Sequence, residues 1–401
     1  MKFVLNRATI TLFFVVVLIN IIVGDLLIDR IIVVSILLYC IVRGLHEKYW
    51  VNPYFLFAFV PLSLSVYFNI ADVYMVNLTH RTWALAIINM LSFLTAFSIT
   101  REVQSKKLCV SIKGKSLVIA AIFFFVIGYL SNYIEQLASI LWIFSVPAIV
   151  CAIKSKKIIM YVFVIIIILL PLLSGASKTG VLLQLLTIMI CLEKYFDLGR
   201  KYRKWMPIIG LLAVFFMIFS FTFANKDRGR YDSDEGLSYY EAQGVEWNTS
   251  AALFLPYMYL THAWGNLQYV TETQDTRTYG LWTVKPLLGY LQLDDDYKTE
   301  YTLKPYSSFN TFTYIACAFK DYGYWLSIIM SLLLGFYIKK VYSKFIFSRS
   351  PLDVATYVCV AMATAEMFFS NHFFMQSYPF TILILMSIIQ FLIPKYIECE
   401  D

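Results

Sequence analysis

Apolar residues run along this chain in long blocks rather than as one-sided stripes. Ile158 to Leu173, for example, carries no charge and a single proline, Pro171. A segment apolar on every side has lipid or other helices as its surroundings. Twelve such blocks predict twelve membrane-crossing helices at 8–24, 26–42, 53–70, 82–100, 116–131, 137–153, 158–173, 179–192, 206–224, 323–338, 352–370 and 379–394. The fold class expected is an all-α polytopic membrane protein. The first block ends in Val23-Gly24-Asp25 rather than a small-x-small cleavage site, so it is read as a retained helix.

The blocks divide the chain into three parts: helices one to nine over 1–224, a long polar segment over 225–322, and helices ten to twelve with a tail over 323–401. Within the polar segment, Trp247 to Val270 is apolar but interrupted by Pro256, His262 and Gly265, and is expected as an interfacial or re-entrant helix. Phe309 to Phe319 is expected as a second surface helix. The two halves share no repeat, which counts against many transporter folds.

Composition agrees with this layout: 60% of residues are apolar and 15% charged, where a soluble domain carries about a quarter charged residues. The net charge of +7 is explained by placement rather than by nucleic acid. Twenty-two of the 33 Lys and Arg fall on segments facing one side, and only Arg30, Arg81 and Lys178 fall on short loops facing the other. Positive loops stay in the cytoplasm, so both termini are expected there, with the long segment outside. The seven cysteines avoid that segment and show no metal-ligand spacing, so neither a disulfide framework nor a structural zinc site is expected. The cytoplasmic loops carry no phosphate-binding glycine loop and no paired carboxylates, which moves the chemistry to the outer face.

Several residues there carry candidate chemistry. Arg228 and Arg230 leave the ninth helix at headgroup level, where a guanidinium grips phosphate with paired hydrogen bonds or merely anchors the helix end. Lys178 lies in the turn Ser174-Gly175-Ala176-Ser177-Lys178-Thr179-Gly180, at a helix start that suits an anion or a simple hairpin. Arg81 is a further outer cation. His372, in Ser370-Asn371-His372, and Glu366 just before it are candidate bases, since a carboxylate near mid-helix requires a polar cavity. His80 and His262 also fall on the outer side. Asp294-Asp295-Asp296 reads as a solvated loop.

This layout resembles the bacterial oligosaccharide repeat-unit polymerases, the Wzy-type O-antigen polymerases. The motifs that carry the resemblance are the 174–180 turn, the pair Arg228 and Arg230, and Phe309-Asn310-Thr311-Phe312-Thr313 followed by Asp321-Tyr322-Gly323. The chain has Lys178 where the family usually has arginine, and Leu326 where a second glycine is common. The resemblance implies a glycosyltransferase of the inner membrane, acting on its outer face. It would join undecaprenyl-pyrophosphate-linked repeat units into O-antigen or a related surface polysaccharide, with no cofactor. A chain-length regulator is implied as a protein partner. Lys178, Arg228, Arg230, Arg81 and Asn310 would then bind pyrophosphate or glycan. His372, Glu366 or Asp321 would activate the acceptor hydroxyl, Asp321 having a rival role as helix N-cap. An O-antigen ligase, or a flippase for the same lipid-linked glycan, are the alternatives.

Overall fold

The computed structural model describes residues 15–17, 19–70, 77–100, 114–130, 142–173, 178–196, 251–273, 277–281 and 312–369. The described residues are helical, with no strand. In chain order the helices are α1 (Leu26–His46), α2 (Pro53–Phe57), α3 (Phe59–Ile70), α4 (His80–Ile99), α5 (Gly114–Leu130), α6 (Ser145–Lys154), α7 (Ile158–Leu173), α8 (Lys178–Phe196), α9 (Ala251–Thr273), α10 (Tyr314–Phe347) and α11 (Pro351–Ala365). The expected spans 206–224 and 379–394 lie outside the described residues.

By length and composition, α4 and α10 can each cross a membrane, and several shorter apolar helices surround them. Large apolar side chains stand on outward helix faces, among them Leu27, Ile31 and Leu38 on α1, Ile119 and Phe123 on α5, and Ile158 and Val162 on α7. Contiguous exposed apolar surface of this kind is unfavourable in water and is covered in a bilayer.

The most extensive packing is α4 against α10. Ser327, Ser331 and Gly335 recur every four residues on α10 and let the two backbones close in. A Cβ on Gly335 would lie 2.4 Å from the Phe93 carbonyl oxygen. Between the helices, Asn89 accepts from the Ser331 hydroxyl at 2.6 Å and donates to the Leu85 carbonyl at 2.9 Å. Stacked rings extend the core: Phe57 lies on Phe93 with centroids 4.2 Å apart.

Four differences from the sequence reading stand out. Tyr314 to Asp321 is not a surface helix; Thr313 caps Ala316 N at 3.1 Å, and nearly every side chain in the stretch is buried. The likeness to a surface segment came in part from the polar Thr313, which serves as the cap. Ala251 to Thr273 is one helix through Pro256 and Gly265, packed against α3, α4 and α10, with Trp264 donating to the Ser63 hydroxyl at 3.0 Å. The basic stretch expected as a loop after 338 is helical to Phe347, its lysines tolerated because Lys339 lies over the Phe97 ring and Lys340 is exposed. Finally, the span expected over 352–370 stops at Ala365, and residues 366–369 form a turn.

At one end of the bundle lie Arg43, Lys154, Lys194 and Arg349 around the α1–α2 turn. Lys194 donates to the Phe345 and Ile346 carbonyls at the end of α10, and Lys154 donates to the Arg349 carbonyl at 2.8 Å. Glu193 accepts from Trp50 N at 2.7 Å and Val51 N at 3.1 Å. These charges therefore each satisfy main-chain groups at or just beyond helix ends, which have no partner inside a helix.

Candidate functional site

The opposite end is built by helices that start there. Asp25 caps α1 by accepting from Leu27 N at 2.7 Å. One turn on, the buried Asp29 carboxylate meets His80 Nδ1 at 2.6 Å and accepts from Asn20 at 2.7 Å. His80 is the first residue of α4, and its Nε2 lies 3.3 Å from the Ile21 carbonyl. Asp29 and His80 thus bind the start of α1 to the start of α4. The next residue, Arg81, is exposed and donates to the Tyr324 hydroxyl, with its guanidinium 5.3 Å from that ring's centre.

Tyr324 follows a reversal of the chain. Gly323 has φ 71° and ψ −165°, a conformation closed to residues with a side chain. A straight helix would separate Tyr314 from Ser331 by about 25 Å at 1.5 Å per residue, yet the two side chains interact. The stretch 314–322 therefore enters the bundle as a re-entrant arm, turns back at Gly323, and leaves 324–347 as the long arm. A reversed helix exposes its last carbonyls, and residues 277–279 satisfy them. Arg277 donates to Phe319 O at 3.1 Å, Thr278 N to Lys320 O at 3.2 Å, and Tyr279 N to Asp321 O at 3.1 Å. The Thr278 hydroxyl donates to the Asp321 carboxylate at 2.6 Å.

The two arginines frame a ladder of rings: Arg81 over Tyr324, Tyr324 edge-on to Phe319 at 4.8 Å, and Arg277 over Phe319 at 4.4 Å. Each cation–ring contact contributes about 0.5–2 kcal/mol. The positive starts of α1, α4 and the long arm of α10 gather here beside the carbonyl ends of α9 and of the re-entrant arm, so the helix dipoles offset one another in part. Among the described carboxylates there, Asp25, Asp29 and Asp321 are each engaged with a partner, and Glu272 at the end of α9 is exposed. The arrangement suits a phosphate-bearing ligand.

Of the residues singled out from sequence, the structure connects Arg81 and Asp321 to this tip. Thr313 caps the start of the re-entrant arm; the Asp321 carboxylate, two residues before the break at Gly323, anchors the 277–279 segment. Lys178 is the first residue of α8. Glu366 is half-buried and caps the end of α11. Its turn is joined to the re-entrant arm by Tyr314 N donating to Met367 O at 2.9 Å. It stands one arm-length inward from Gly323, about 13 Å. Arg228, Arg230, Asn310 and His372 lie outside the described residues. His262 is buried in α9 with Nδ1 2.6 Å from the Met258 carbonyl.

Sequence reasoning assigned no role to Arg277 or to the Asp29–His80 pair. Arg277 had no local signal, sitting in a polar stretch. Asp29 did carry one, an acidic residue inside an apolar block. Compared with family models, with curated proteins and with solved structures, the chain gives no match in any of the three.

Proposed function

We propose that this chain is a glycosyltransferase of the bacterial inner membrane that polymerises undecaprenyl-pyrophosphate-linked repeat units into O-antigen or a related surface polysaccharide. Twelve crossings with both termini in the cytoplasm would place the Arg81 end outside. The observation that supports the reading is that end itself, where Arg81 and Arg277 lie on aromatic rings at the head of an apolar bundle. A departing pyrophosphate needs such cations in the absence of a metal-site pattern.

In this reading the anomeric carbon of the donor is attacked by a sugar hydroxyl of the acceptor, and the bond to pyrophosphate breaks. Arg81, Arg228, Arg230 and Lys178 stabilise the leaving group, and Asn310 contacts the glycan. His372 or Glu366 takes the hydroxyl proton. Asp321 is assigned a positioning role. The test replaces Arg81, Arg228 and Arg230 singly with Ala and with Lys and scores glycan chain length at equal expression. Shortened chains in the Ala variants support the phosphate grip; full-length chains in all six sink it.

A second reading, a carrier for the same lipid-linked glycan, is favoured by one specific feature. α10 is broken within the bundle at Gly323, where the chain turns back. Broken helices recur in transporters. Transport of labelled lipid-linked repeats across proteoliposomes, without polymer, would select this reading.

A further inference from the structure

Residues 278–281 form a turn at the Gly323 tip, closed by Leu281 N donating to the Thr278 carbonyl at 3.0 Å. Both central residues are left-handed: Tyr279 has φ 50° and Gly280 φ 94°. That pair of signs is the type I′ pattern, which Asn, Asp and Gly fill most readily. Glycine suits the second position twice over, since a Cβ there would stand 3.2 Å from the Tyr322 hydroxyl. A bulky side chain at the first position is an outlier. Burial does not offset the strain, because Tyr279 is 85% exposed. The main chain beneath is nonetheless fixed: Thr278 N donates to the Lys320 carbonyl, Tyr279 N to the Asp321 carbonyl, and the Thr278 hydroxyl to the Asp321 carboxylate. A strained residue on a fixed backbone, with its side chain in solvent, points to a role for that side chain.

We propose that Tyr279 is a sugar-binding residue, whose ring stacks on the apolar face of a pyranose in the lipid-linked glycan. A pyranose presents C–H groups on a face and hydroxyls around its rim. A tyrosine ring gives such a face a large, rigid contact at low entropic cost. Polar groups suited to the rim stand close by: Arg277 two residues before, and the Tyr322 hydroxyl beside Gly280. The competing use for an exposed tyrosine is the interfacial aromatic belt. A belt residue needs no particular main-chain geometry, whereas this ring is aimed by a turn tied to the end of the re-entrant arm. The proposal rests on the glycosyltransferase reading for the choice of a glycan. It adds to that reading a contact for the sugar, separate from those for pyrophosphate.

The test uses the full-length protein in phospholipid nanodiscs. Saturation-transfer NMR reads its binding of oligosaccharides freed by mild acid from the polyprenyl-linked glycans of the source bacterium. Asparagine accepts the left-handed turn, so Tyr279→Asn is expected to unfold at or above the wild-type midpoint. Its glycan affinity should nevertheless fall about tenfold, as for truncation of a tyrosine anchor. Tyr279→Phe and Tyr279→Trp keep the ring and should bind as wild type does. Should Tyr279→Asn prove unstable, Tyr279→Leu against Tyr279→Phe decides, since both carry the same backbone strain: loss of binding in Leu alone supports stacking, and equal binding overturns it. Wild-type affinity in Tyr279→Asn overturns the proposal, as does a wild-type protein that binds no glycan. Unchanged glycan binding with a midpoint lowered in nanodiscs but not in detergent overturns it too, and makes the ring a membrane anchor. Polymer formation with Tyr279-independent glycan binding rejects this site and leaves the glycosyltransferase standing; Tyr279-dependent binding without polymer does the reverse.

Discussion

Arg277 donates to the Phe319 carbonyl at 3.1 Å while its guanidinium lies 4.4 Å from the centre of the Phe319 ring. One side chain thus caps the reversed helix and covers the ring beneath the turn. Hydrogen bonds from charged donors contribute about 1.5–3 kcal/mol. Arg277→Ala is expected to lower the thermal unfolding midpoint in detergent, and Arg277→Met, which restores the apolar cover without the donor, to recover only part of it. Full recovery by Met would mean that the carbonyl contact contributes nothing.

Gly323→Ala tests the turn. The backbone there costs a residue with a Cβ about 1–3 kcal/mol, and the new Cβ would stand 3.3 Å from Arg277 Nε. The double variant Arg277→Ala, Gly323→Ala removes the steric contact and keeps the backbone strain. It is therefore expected to be no more stable than Gly323→Ala alone. A double variant that melts higher would show that crowding, not backbone conformation, demands the glycine.

The α4–α10 seam gives a graded series. Gly335→Leu must push a main-chain carbonyl aside, since even a Cβ would sit 2.4 Å from Phe93 O; loss of folded protein on size-exclusion chromatography is expected. Asn89→Leu removes the acceptor of the Ser331 hydroxyl and should cost only about 0.6–2 kcal/mol, the range of hydrogen bonds between membrane helices. If Asn89→Leu proves the more damaging, the seam depends on its polar rung rather than on close approach.

Some helices were legible from block hydrophobicity alone: Ile158–Leu173 was bounded to the residue, because a uniformly apolar run between charges has no competing reading, whereas Ala251–Thr273 and the start of α10 at Tyr314 were not. The grouping of Lys154, Lys194 and Arg349 at one end was legible from loop charge. What stayed hidden was the direction of the chain inside α10. Asp321-Tyr322-Gly323 marked the place, but only the φ of Gly323 and the neighbourhood of Tyr314 and Ser331 reveal a reversal. Helix period carries no information on whether an apolar stretch continues or doubles back. The partner of that turn, 277–279, lies over forty residues away in a polar stretch with no periodicity, so nothing local announced it.

At the other end, Glu193 uses both oxygens on main-chain donors at the start of α2. Glu193→Gln keeps one acceptor and leaves one buried N–H facing an amide nitrogen. A loss of about 1–3 kcal/mol is expected, with Glu193→Ala worse. Urea-induced unfolding of the purified protein would check the order; equal stability of Gln and wild type would show that one of the two contacts contributes nothing.

The most direct test of the proposed activity is incubation of the purified full-length protein with undecaprenyl-pyrophosphate-linked repeat units alone, followed by separation of the glycans by size. A glycosyltransferase of this kind should give a ladder spaced by one repeat, lost or shortened in Arg81→Ala. Single repeats that remain unchanged, or that extend only when a separate acceptor such as lipopolysaccharide core is added, would contradict it.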